Sequence, residues 1–390
     1  MNSYLLEPLA PLVFRTGKPF GNLASAQDVI FPLPSSAAGL VRALKVEQAQ
    51  GNLQTYEGKL QNADYQELLS TQAVGPFLVR FKSTDKQNYE VLVSKPANAL
   101  YFENKATGKT ELIRLTPKAY EQECGADLPD NLLPVQMENA IKGKPKSGAA
   151  YWTLEHFLAW QAGEKLGFDE VKNAGLAGLP VEIRTHVAID RNTRAAEDGK
   201  LFQTANFDLG NQWDASKEAW NEQRLGFLLL CAESLQESTA VFGGERRLSY
   251  FSPAKSQSNF LQPSGQLLSD INQAKGFSLT FLTPAVFAQG YLPAWIDAKT
   301  MQGTLPNTKV KVALKAVAID RWLPVSGWDS IVWKPKATRK AVGVGSVYWF
   351  ELQNDLTEAD LKALWLSPLA DHQQDKHDGF GAAIVAPWAQ

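Results

Sequence analysis

Apolar and polar positions alternate along this chain in short runs that are separated by turns rich in glycine and proline. The opening segment SYLLEPLAPLVFR has the pattern of a strand, but Pro8 and Pro11 interrupt it, so part of it is expected to be an edge or a bulge. After a glycine-containing loop, Pro34 and two serines mark a helix start, and the following apolar residues are spaced for one helical face. The chain is therefore expected to open as strand, loop and helix.

The region from about 50 to 180 is less regular. It alternates short strand-like pieces such as PFLVRF and YEVLVS with turn signals, and it predicts an insertion. Within it, YWTLEHFLAWQAGEKLG has helical periodicity, which predicts an amphipathic helix capped by Thr153 and ending at Gly167.

The pentapeptide VAIDR occurs twice, at 187–191 and 317–321, and the order of elements around it is similar in both halves. Each half reads as strand, connection, two strands, helix or short connection, and strand, with FSLTFLTPAVF opening the second half. This is the pattern of a ferredoxin-like βαββαβ unit. We therefore predict an α+β protein with two tandem ferredoxin-like (RRM-like) domains and insertions. The polar segment SPAKSQSNFLQPSGQ places the boundary between residues 1–255 and 256–390.

Composition and charge narrow the function classes. The chain has 390 residues and a formal net charge of -2, which argues against a protein that coats nucleic acid through bulk charge, although local basic patches could hold one defined ligand. Cys124 and Cys231 are far apart and lack a CxxC context, so we expect a reduced intracellular chain. The N-terminus lacks a signal-peptide pattern, and no apolar run is long enough to span a membrane, so a cytoplasmic location is expected.

Known phosphate and nucleophile motifs are incomplete in this sequence. GKT at 108–110 has Glu103 where a Walker loop needs its first glycine, and GVGSVY and GFGAA lack the third glycine of a dinucleotide fingerprint. A GxSxG elbow is also missing. The sequence therefore predicts no nucleotide or dinucleotide cofactor.

Two histidine contexts could carry chemistry. His372 and His377 lie among aspartates in SPLADHQQDKHDGFG, but their spacing matches no zinc pattern, so a solvated loop and no bound metal are predicted. His186 directly precedes VAIDR and lies near three arginines. It could act as a general base in RNA cleavage, or it could be a strand residue that donates a hydrogen bond to RNA or to a neighbour.

Basic loops next to predicted strand ends give the stronger signal. Glycines in several of them would let backbone N–H groups approach a phosphate, cations would add charge, and neighbouring aromatic rings would stack on bases. The alternative for any single loop is a solvated turn. The candidate RNA-binding residues in these loops are Arg15, Gly17, Lys18, Phe20, Arg184, His186, Arg191, Arg194, Gly243, Gly244, Arg246, Arg247, Lys336, Arg339 and Lys340.

In this order and spacing the motifs resemble a known family. LEPLAPLVFRTGKPFG followed by FPLPSSAAGLVRAL, and then THVAIDRNTRAAEDGKLFQT, FGGERRLSYF, FLTPAVFAQGYLPAW, AVGVGSVYWFEL and GFGAAIVAPW, resemble the family of the third subunit of the type III-B CRISPR (Cmr) effector complex, within the RAMP superfamily. The resemblance spans nearly the whole chain and is weakest over residues 50–150. It implies two ferredoxin-like domains.

The resemblance also implies a non-catalytic role. Relatives help to cap the complex at the crRNA 5′ tag, and they bind the large polymerase/cyclase-like subunit and the first backbone RAMP subunit. When the resemblance is carried onto this chain, Arg42 on the first helix joins the candidate residues that face the tag. Lys18 stands where relatives often have arginine, which keeps the charge but loses bidentate phosphate geometry. The last glycine turn is only GFG, which weakens its case as an RNA cradle.

Three alternatives therefore remain open from sequence: an RNA-binding CRISPR subunit, an endonuclease of the same superfamily that uses His186, and a small-molecule enzyme that uses the loop 371–378. Phe20 could be either a stacking platform or a plug against the following helix.

Overall fold

The computed structural model describes residues 1–15, 29–50, 62–120, 124–138, 141–210, 213–214, 219–329 and 334–389. Lys18, Phe20 and Gly17 lie outside these residues. Within the described ranges, no helix combines the length and apolar character needed to cross a bilayer. The helices are α1 (Pro34–Gln50), α2 (Asn62–Ser70), α3 (Leu154–Gln161), α4 (Phe168–Ala174), α5 (Ser258–Leu261), α6 (Leu267–Ala274), α7 (Glu358–Leu364) and α8 (Gln373–His377).

The strands are short and almost all pair in antiparallel fashion with their neighbours. In the first 255 residues they are β1 (Asn2–Pro8), β2 (Ala73–Lys82), β3 (Asp85–Ser94), β4 (Ala99–Asn104), β5 (Thr110–Pro117), β6 (Val135–Met137), β7 (Gly143–Pro145), β8 (Tyr151–Thr153), β9 (Val181–Ile189), β10 (Ala196–Phe207), β11 (Trp213–Asp214), β12 (Ala219–Trp220), β13 (Gln223–Cys231), β14 (Ser238–Val241) and β15 (Leu248–Pro253). They continue with β16 (Gly276–Phe281), β17 (Gln302–Thr304), β18 (Lys311–Ala318), β19 (Trp322–Val325), β20 (Trp328–Asp329), β21 (Lys334–Pro335), β22 (Arg339–Val342), β23 (Val347–Leu352) and β24 (Ala383–Pro387).

Two antiparallel sheets organise the chain, and this mixed α and β content is as predicted. The first has the order β14-β15-β1-β13-β2-β3-β8, and the second has the order β17-β18-β23-β16-β24. In the first sheet β1 lies between β13 and β15, and in the second β16 lies between β23 and β24. Both sheets therefore contain four strands in the same relative order, with the first strand flanked by the third and the fourth.

The opening segment forms as predicted, with one difference. β1 is a central strand and ends at Pro8, after which Leu12 pairs only through an isolated bridge with Phe207. Proline cannot donate to a sheet, so the prolines end the strand rather than place it at the edge. The helix α1 begins at Pro34, and its apolar face is buried against the sheet.

The region predicted to be an insertion contributes to the main sheet. β2, β3 and β8 extend the first sheet beyond β13, while β4 to β7 form a separate four-stranded sheet. Thr153 caps α3 by accepting the His156 N–H at 3.2 Å, as predicted, but the helix ends at Gln161 rather than at Gly167.

The two VAIDR copies occupy different structural positions. The first lies at the end of β9, which pairs only with β10 in a two-stranded hairpin, whereas the second begins within the last residues of β18, which pairs with β17 and β23 in the second sheet. The two copies of the pentapeptide therefore do not identify equivalent strands in the two halves. The order of the four strands that both sheets have in common nevertheless agrees between the halves.

The core joins both halves of the chain. One face of the first sheet packs on α1, and the other face belongs to a large cluster that also contains strands of the second sheet. Phe77 of β2 meets Phe260 of α5 edge to face, with ring centroids 5.0 Å apart. The turn between β14 and β15, the start of α1 and α8 come together around one cleft.

Candidate nucleic-acid interface

A cleft of about 1080 Å³ lies between elements of the two halves. One wall is built by the residues after β1, by the first turns of α1 and by the glycine turn between β14 and β15. The other wall is built by the segment between β19 and β22 and by α8. The lining includes Arg15, Ser35, Ser36, Gly243, Gly244, Glu245, Trp328, Lys336, Arg339 and Asp375.

Arg15 lies at the mouth of this cleft. It pairs with Val29 through an isolated backbone bridge, and its side chain is half exposed. Its Nη2 lies 3.3 Å from Oε1 of Glu245, whose other oxygen accepts a hydrogen bond from Nη2 of Arg247 at 2.9 Å. An exposed pair of this kind is weak, so a phosphate could replace the carboxylate.

The glycine turn packs closely against the first wall. Gly243 has φ +87, and a Cβ there would lie 2.8 Å from the carbonyl oxygen of Val13. The Gly244 N–H donates to the same carbonyl at 2.8 Å. The prediction that these glycines free backbone N–H groups for a phosphate is therefore wrong for Gly244, because its N–H is already bonded within the protein.

Two predicted cations lie on the opposite wall. Arg339 donates through Nη1 and Nη2 to the two oxygens of Asp375 at 2.6 and 2.7 Å, and this hydrogen bonding raises the pKa of Arg339. Lys336 is exposed, and within the described part of the chain it forms no ion pair. Among its described residues the cleft therefore carries one ammonium without an ion-pair partner and two arginines that are paired with carboxylates.

Arg42 is buried, which corrects its assignment to the RNA-facing set. Its Nη1 lies 2.6 Å from Oδ1 of Asp378, and its Nη2 donates to the carbonyls of Leu69 and Thr71 at 2.8 and 3.0 Å. Only 8% of the residue is exposed. A guanidinium with these partners connects α1 to α8 and is not available to a ligand.

The segment 371–378 differs from the predicted solvated loop. It contains α8, and Asp375 and Asp378 are buried in ion pairs. Asp371 accepts hydrogen bonds from the backbone N–H groups of Ala288 and Ala294 at 2.8 and 2.9 Å. Three or more metal-ligating side chains do not come together anywhere in the described residues. The carboxylates of this segment therefore have structural partners.

The hairpin of β9 and β10 holds four further candidates, none of which is among the residues that line the cleft in the described part of the chain. His186 stacks on Phe202 with ring centroids 5.2 Å apart, and its Nε2 lies 2.9 Å from Oγ1 of Thr204. Arg184 pairs with Glu182 at 2.9 Å, which raises the pKa of Arg184. One face of the His186 imidazole is therefore packed on the Phe202 ring, and one of its nitrogens is hydrogen-bonded to Thr204.

Arg191 and Arg194 lie in the turn at the tip of this hairpin. Asp190 accepts hydrogen bonds from the backbone N–H groups of Asn192 and Thr193 at 2.8 and 2.7 Å, and these bonds lower the pKa of Asp190. Both arginines are exposed, and neither is in an ion pair among the described residues. β9 rises about 3.3 Å per residue over eight residues, so the tip of the hairpin lies roughly 26 Å from its base.

The sequence candidates therefore divide by location. Those that line the cleft are Arg15, Gly243, Gly244, Lys336 and Arg339. Arg246 and Arg247 lie in the adjoining turn, where Arg246 is exposed, and Lys340 lies outside the cleft. Sequence reasoning missed the first turn of α1, Trp328 and α8, because these join the site only through contacts between residues far apart in the chain.

Known proteins resemble this chain in fold but only weakly in sequence. No curated protein sequence matches the chain. Solved structures that resemble it include a chain of the type III-B Cmr-beta complex bound to cognate target RNA and AMPPnP, at 14% identity and a TM-score of 0.47, and a chain of the Cmr-beta complex bound to cognate target RNA, at 16% identity and a TM-score of 0.47. Each match covers 89% of this chain and 86% of the other chain.

The sequence signature of one family extends over almost the whole chain. The family described as CRISPR-associated protein (Cas_Cmr3) matches residues 4–388, which include both sheets, the hairpin and every wall of the cleft. With a match of this extent, the chain belongs to the Cas_Cmr3 family of CRISPR-associated proteins.

Proposed function

We propose that this protein is a non-catalytic, RNA-binding subunit of a type III-B CRISPR ribonucleoprotein. In this role it holds the 5′ tag of the crRNA and bridges the large polymerase/cyclase-like subunit to the backbone RAMP subunit. The partners and the tag are implied by the family and are part of the proposal. A cytoplasmic location belongs to the same proposal.

The observation that carries this proposal is the cleft itself. Arg15 from the first half and Lys336 and Arg339 from the second half meet around one concave surface of about 1080 Å³. Ser35 and Ser36 add hydroxyl donors beside them. Cations and hydroxyl donors are the groups that position a phosphate backbone.

The fold supports the same proposal. The shared order of β15-β1-β13-β2 and β24-β16-β23-β18 supports our proposal of two ferredoxin-like units, one within residues 1–255 and one within 256–390. Ferredoxin-like sheets of the RRM type bind single-stranded RNA. We infer that the cleft lies where the two units meet, so that both contact one RNA.

The surroundings of His186 favour binding over cleavage. A general base needs access to the proton that it removes, whereas this imidazole is stacked on Phe202 and bonded to Thr204. We therefore assign the hairpin to contact with RNA through Arg191 and Arg194, without a chemical step. RNA that is cleaved by the wild-type protein and left intact by His186→Ala would overturn this assignment.

The test is a binding measurement with the purified full chain. A fluorescent single-stranded RNA that carries the crRNA tag is titrated with the wild type, with a variant that combines Arg15→Ala and Lys336→Ala, and with Lys275→Ala as the control. Lys275 is an exposed cation paired with Asp355 and is not part of the cleft lining.

Two lost phosphate contacts should weaken binding and reduce the salt slope of log K by about 0.7 for each contact, since each contact releases counterions from a single strand. The control should bind like the wild type. Equal affinities and slopes for all three proteins would show that the cleft is not the RNA site.

A further inference from the structure

The hairpin formed by β19 and β22 has two distinct faces. In its register Trp322 lies opposite Val342 and Pro324 lies opposite Lys340, so these four residues share one face, on which Val342 is buried in the core while Trp322 and Lys340 are exposed. Val325 and Ala341, on the other face, belong to a buried cluster with Phe380 next to the cleft. The face of Trp322 therefore points away from the cleft, and it is called the outer face below.

Trp322 is unusually accessible for its residue type. Its side chain lies on the surface with 59% exposure, although a tryptophan normally buries most of its area. The ammonium of Lys340 lies 5.4 Å from the ring centroid, within the range of a cation–π contact. In the described residues Lys340 has no carboxylate within ion-pair distance. The outer face thus presents a flat aromatic ring beside an unpaired cation.

The charge of this segment is opposite to that of the whole chain. Residues 320–342 contain five basic and two acidic side chains, whereas the chain as a whole has a net charge of -2. The basic ones are Arg321, Lys334, Lys336, Arg339 and Lys340. Arg321 is exposed directly beside Trp322. A local excess of positive charge of this kind selects an anionic ligand.

We propose that the outer face is a second binding surface for single-stranded RNA, on which one base stacks on the Trp322 ring while Lys340 and Arg321 contact the adjoining phosphates. This proposal rests on the proposed RNA-binding function and adds a contact beyond the cleft. Stacking platforms combined with cations are the general means by which proteins hold single strands without reading their sequence. An apolar surface of a partner protein, docked on the outer face, would instead bury Lys340 and Arg321 without groups to pair with them.

The position of the outer face agrees with one continuous RNA path. The loop of the same hairpin, including Trp328 and Lys336, lines the cleft. Trp322 and Trp328 are six positions apart, so their Cα atoms are at most about 20 Å apart. An RNA held in the cleft can therefore leave it along this hairpin and reach the outer face.

The experiment uses the full chain and two fluorescent oligouridylates, a short one sized for the cleft and a longer one that also reaches the outer face. Trp322→Ala should weaken binding of the longer RNA by roughly 5- to 150-fold, the range of one lost base–aromatic stack, and leave binding of the shorter one unchanged. Its salt slope should stay the same, because a stack releases no counterion, whereas Lys340→Gln should reduce the slope by about 0.7.

Trp322→Phe is the matched control, since it keeps an aromatic ring and should retain most of the affinity. Because Trp322 is exposed, all variants should unfold at the temperature of the wild type. If Trp322→Ala binds the longer RNA like the wild type while Arg15→Ala still weakens it, the outer face is not an RNA surface and the cleft proposal stands. If the wild type binds neither RNA, both proposals fail. Loss of a co-purifying protein with RNA affinity unchanged would make the outer face a protein-docking surface and overturn this inference.

Discussion

Nη1 of Arg42 and Oδ1 of Asp378 lie 2.6 Å apart in the interior, although 336 positions separate the two residues in the chain. Arg42 belongs to α1, and Asp378 directly follows α8. The neighbouring carboxylate, Asp375, is held by Arg339 from β22. α8 is therefore attached to both halves by ion pairs whose carboxylates are buried, and it forms part of one wall of the cleft between them.

Arg42→Ala should destabilise the protein by about 3–5 kcal/mol. The substitution leaves the carboxylate of Asp378 buried without its charged partner and with only the amide of Gln374, and the carbonyls of Leu69 and Thr71 also lose a donor. The free energy of unfolding in urea measures this change.

The matched control is Lys362→Ala, which removes the exposed i,i+4 partner of Glu358. That change should cost no more than about 0.5 kcal/mol. A loss of RNA affinity in folded Arg42→Ala, with little change in stability, would instead restore Arg42 to the RNA-binding set.

Glu245→Gln should strengthen RNA binding. The Glu245 carboxylate is shared by Arg15 and Arg247, so its neutralisation frees Arg15 for a phosphate and removes a negative charge from the cleft. An exposed ion pair is worth up to about 1 kcal/mol, so an increase in affinity of up to about fivefold is expected. Fluorescence anisotropy with a tagged RNA at two salt concentrations measures the change. Unchanged or weaker binding would indicate that Glu245 does not compete with RNA.

Gly243→Ala should destabilise the turn much more than Gly244→Ala. At Gly243 the backbone has φ +87, and a Cβ would lie 2.8 Å from a backbone oxygen of Val13, which cannot move aside without shifting the main chain of the segment after β1. A cost on the order of 2 kcal/mol or more is expected. At Gly244 the nearest atom, a side-chain carbon of Val13, would lie at 3.4 Å, an ordinary contact. Thermal unfolding of the two variants separates these cases, and equal stabilities would contradict the close packing of Gly243.

Local signals predicted several elements because they act within one turn or one strand. The start of α1 at Pro34 and the cap at Thr153 depend only on neighbouring residues, and both were predicted. The mixed α and β class followed from the alternation of apolar runs. VAIDR shows the limit of such reasoning, since a five-residue match carries no information on which strands pair.

The candidate site was predicted only in part, because the burial and pairing of its side chains depend on residues far apart in the chain. Arg15, Lys336 and Arg339 were recognised as cations beside strand ends, and the structure brings them to one cleft. Arg42 looks like the same kind of residue in sequence, but its burial depends on Asp378, at the far end of the chain. Likewise, a polar run such as 371–378 indicates solvent unless its tertiary partners are known.

The two cysteines should react very differently with a thiol reagent. Cys124 is exposed, whereas Cys231 lies in β13 with no accessible surface, and burial raises the pKa of its thiol to about 11. Since only the thiolate is nucleophilic, the native protein should release one equivalent of chromophore from an aromatic disulfide reagent near pH 8, and the denatured protein should release two.

The same shift makes stability depend on pH. A thiol whose pKa is raised in the folded state stabilises the protein fully below its unfolded pKa of about 8.5, and this contribution is lost as pH rises through about 11. Cys231→Ala should therefore flatten the decline in unfolding free energy over this window, whereas Cys124→Ala should leave it unchanged. Rapid labelling of two thiols in the folded protein would show that β13 opens to solvent, and it would contradict the placement of Cys231 in the centre of the first sheet.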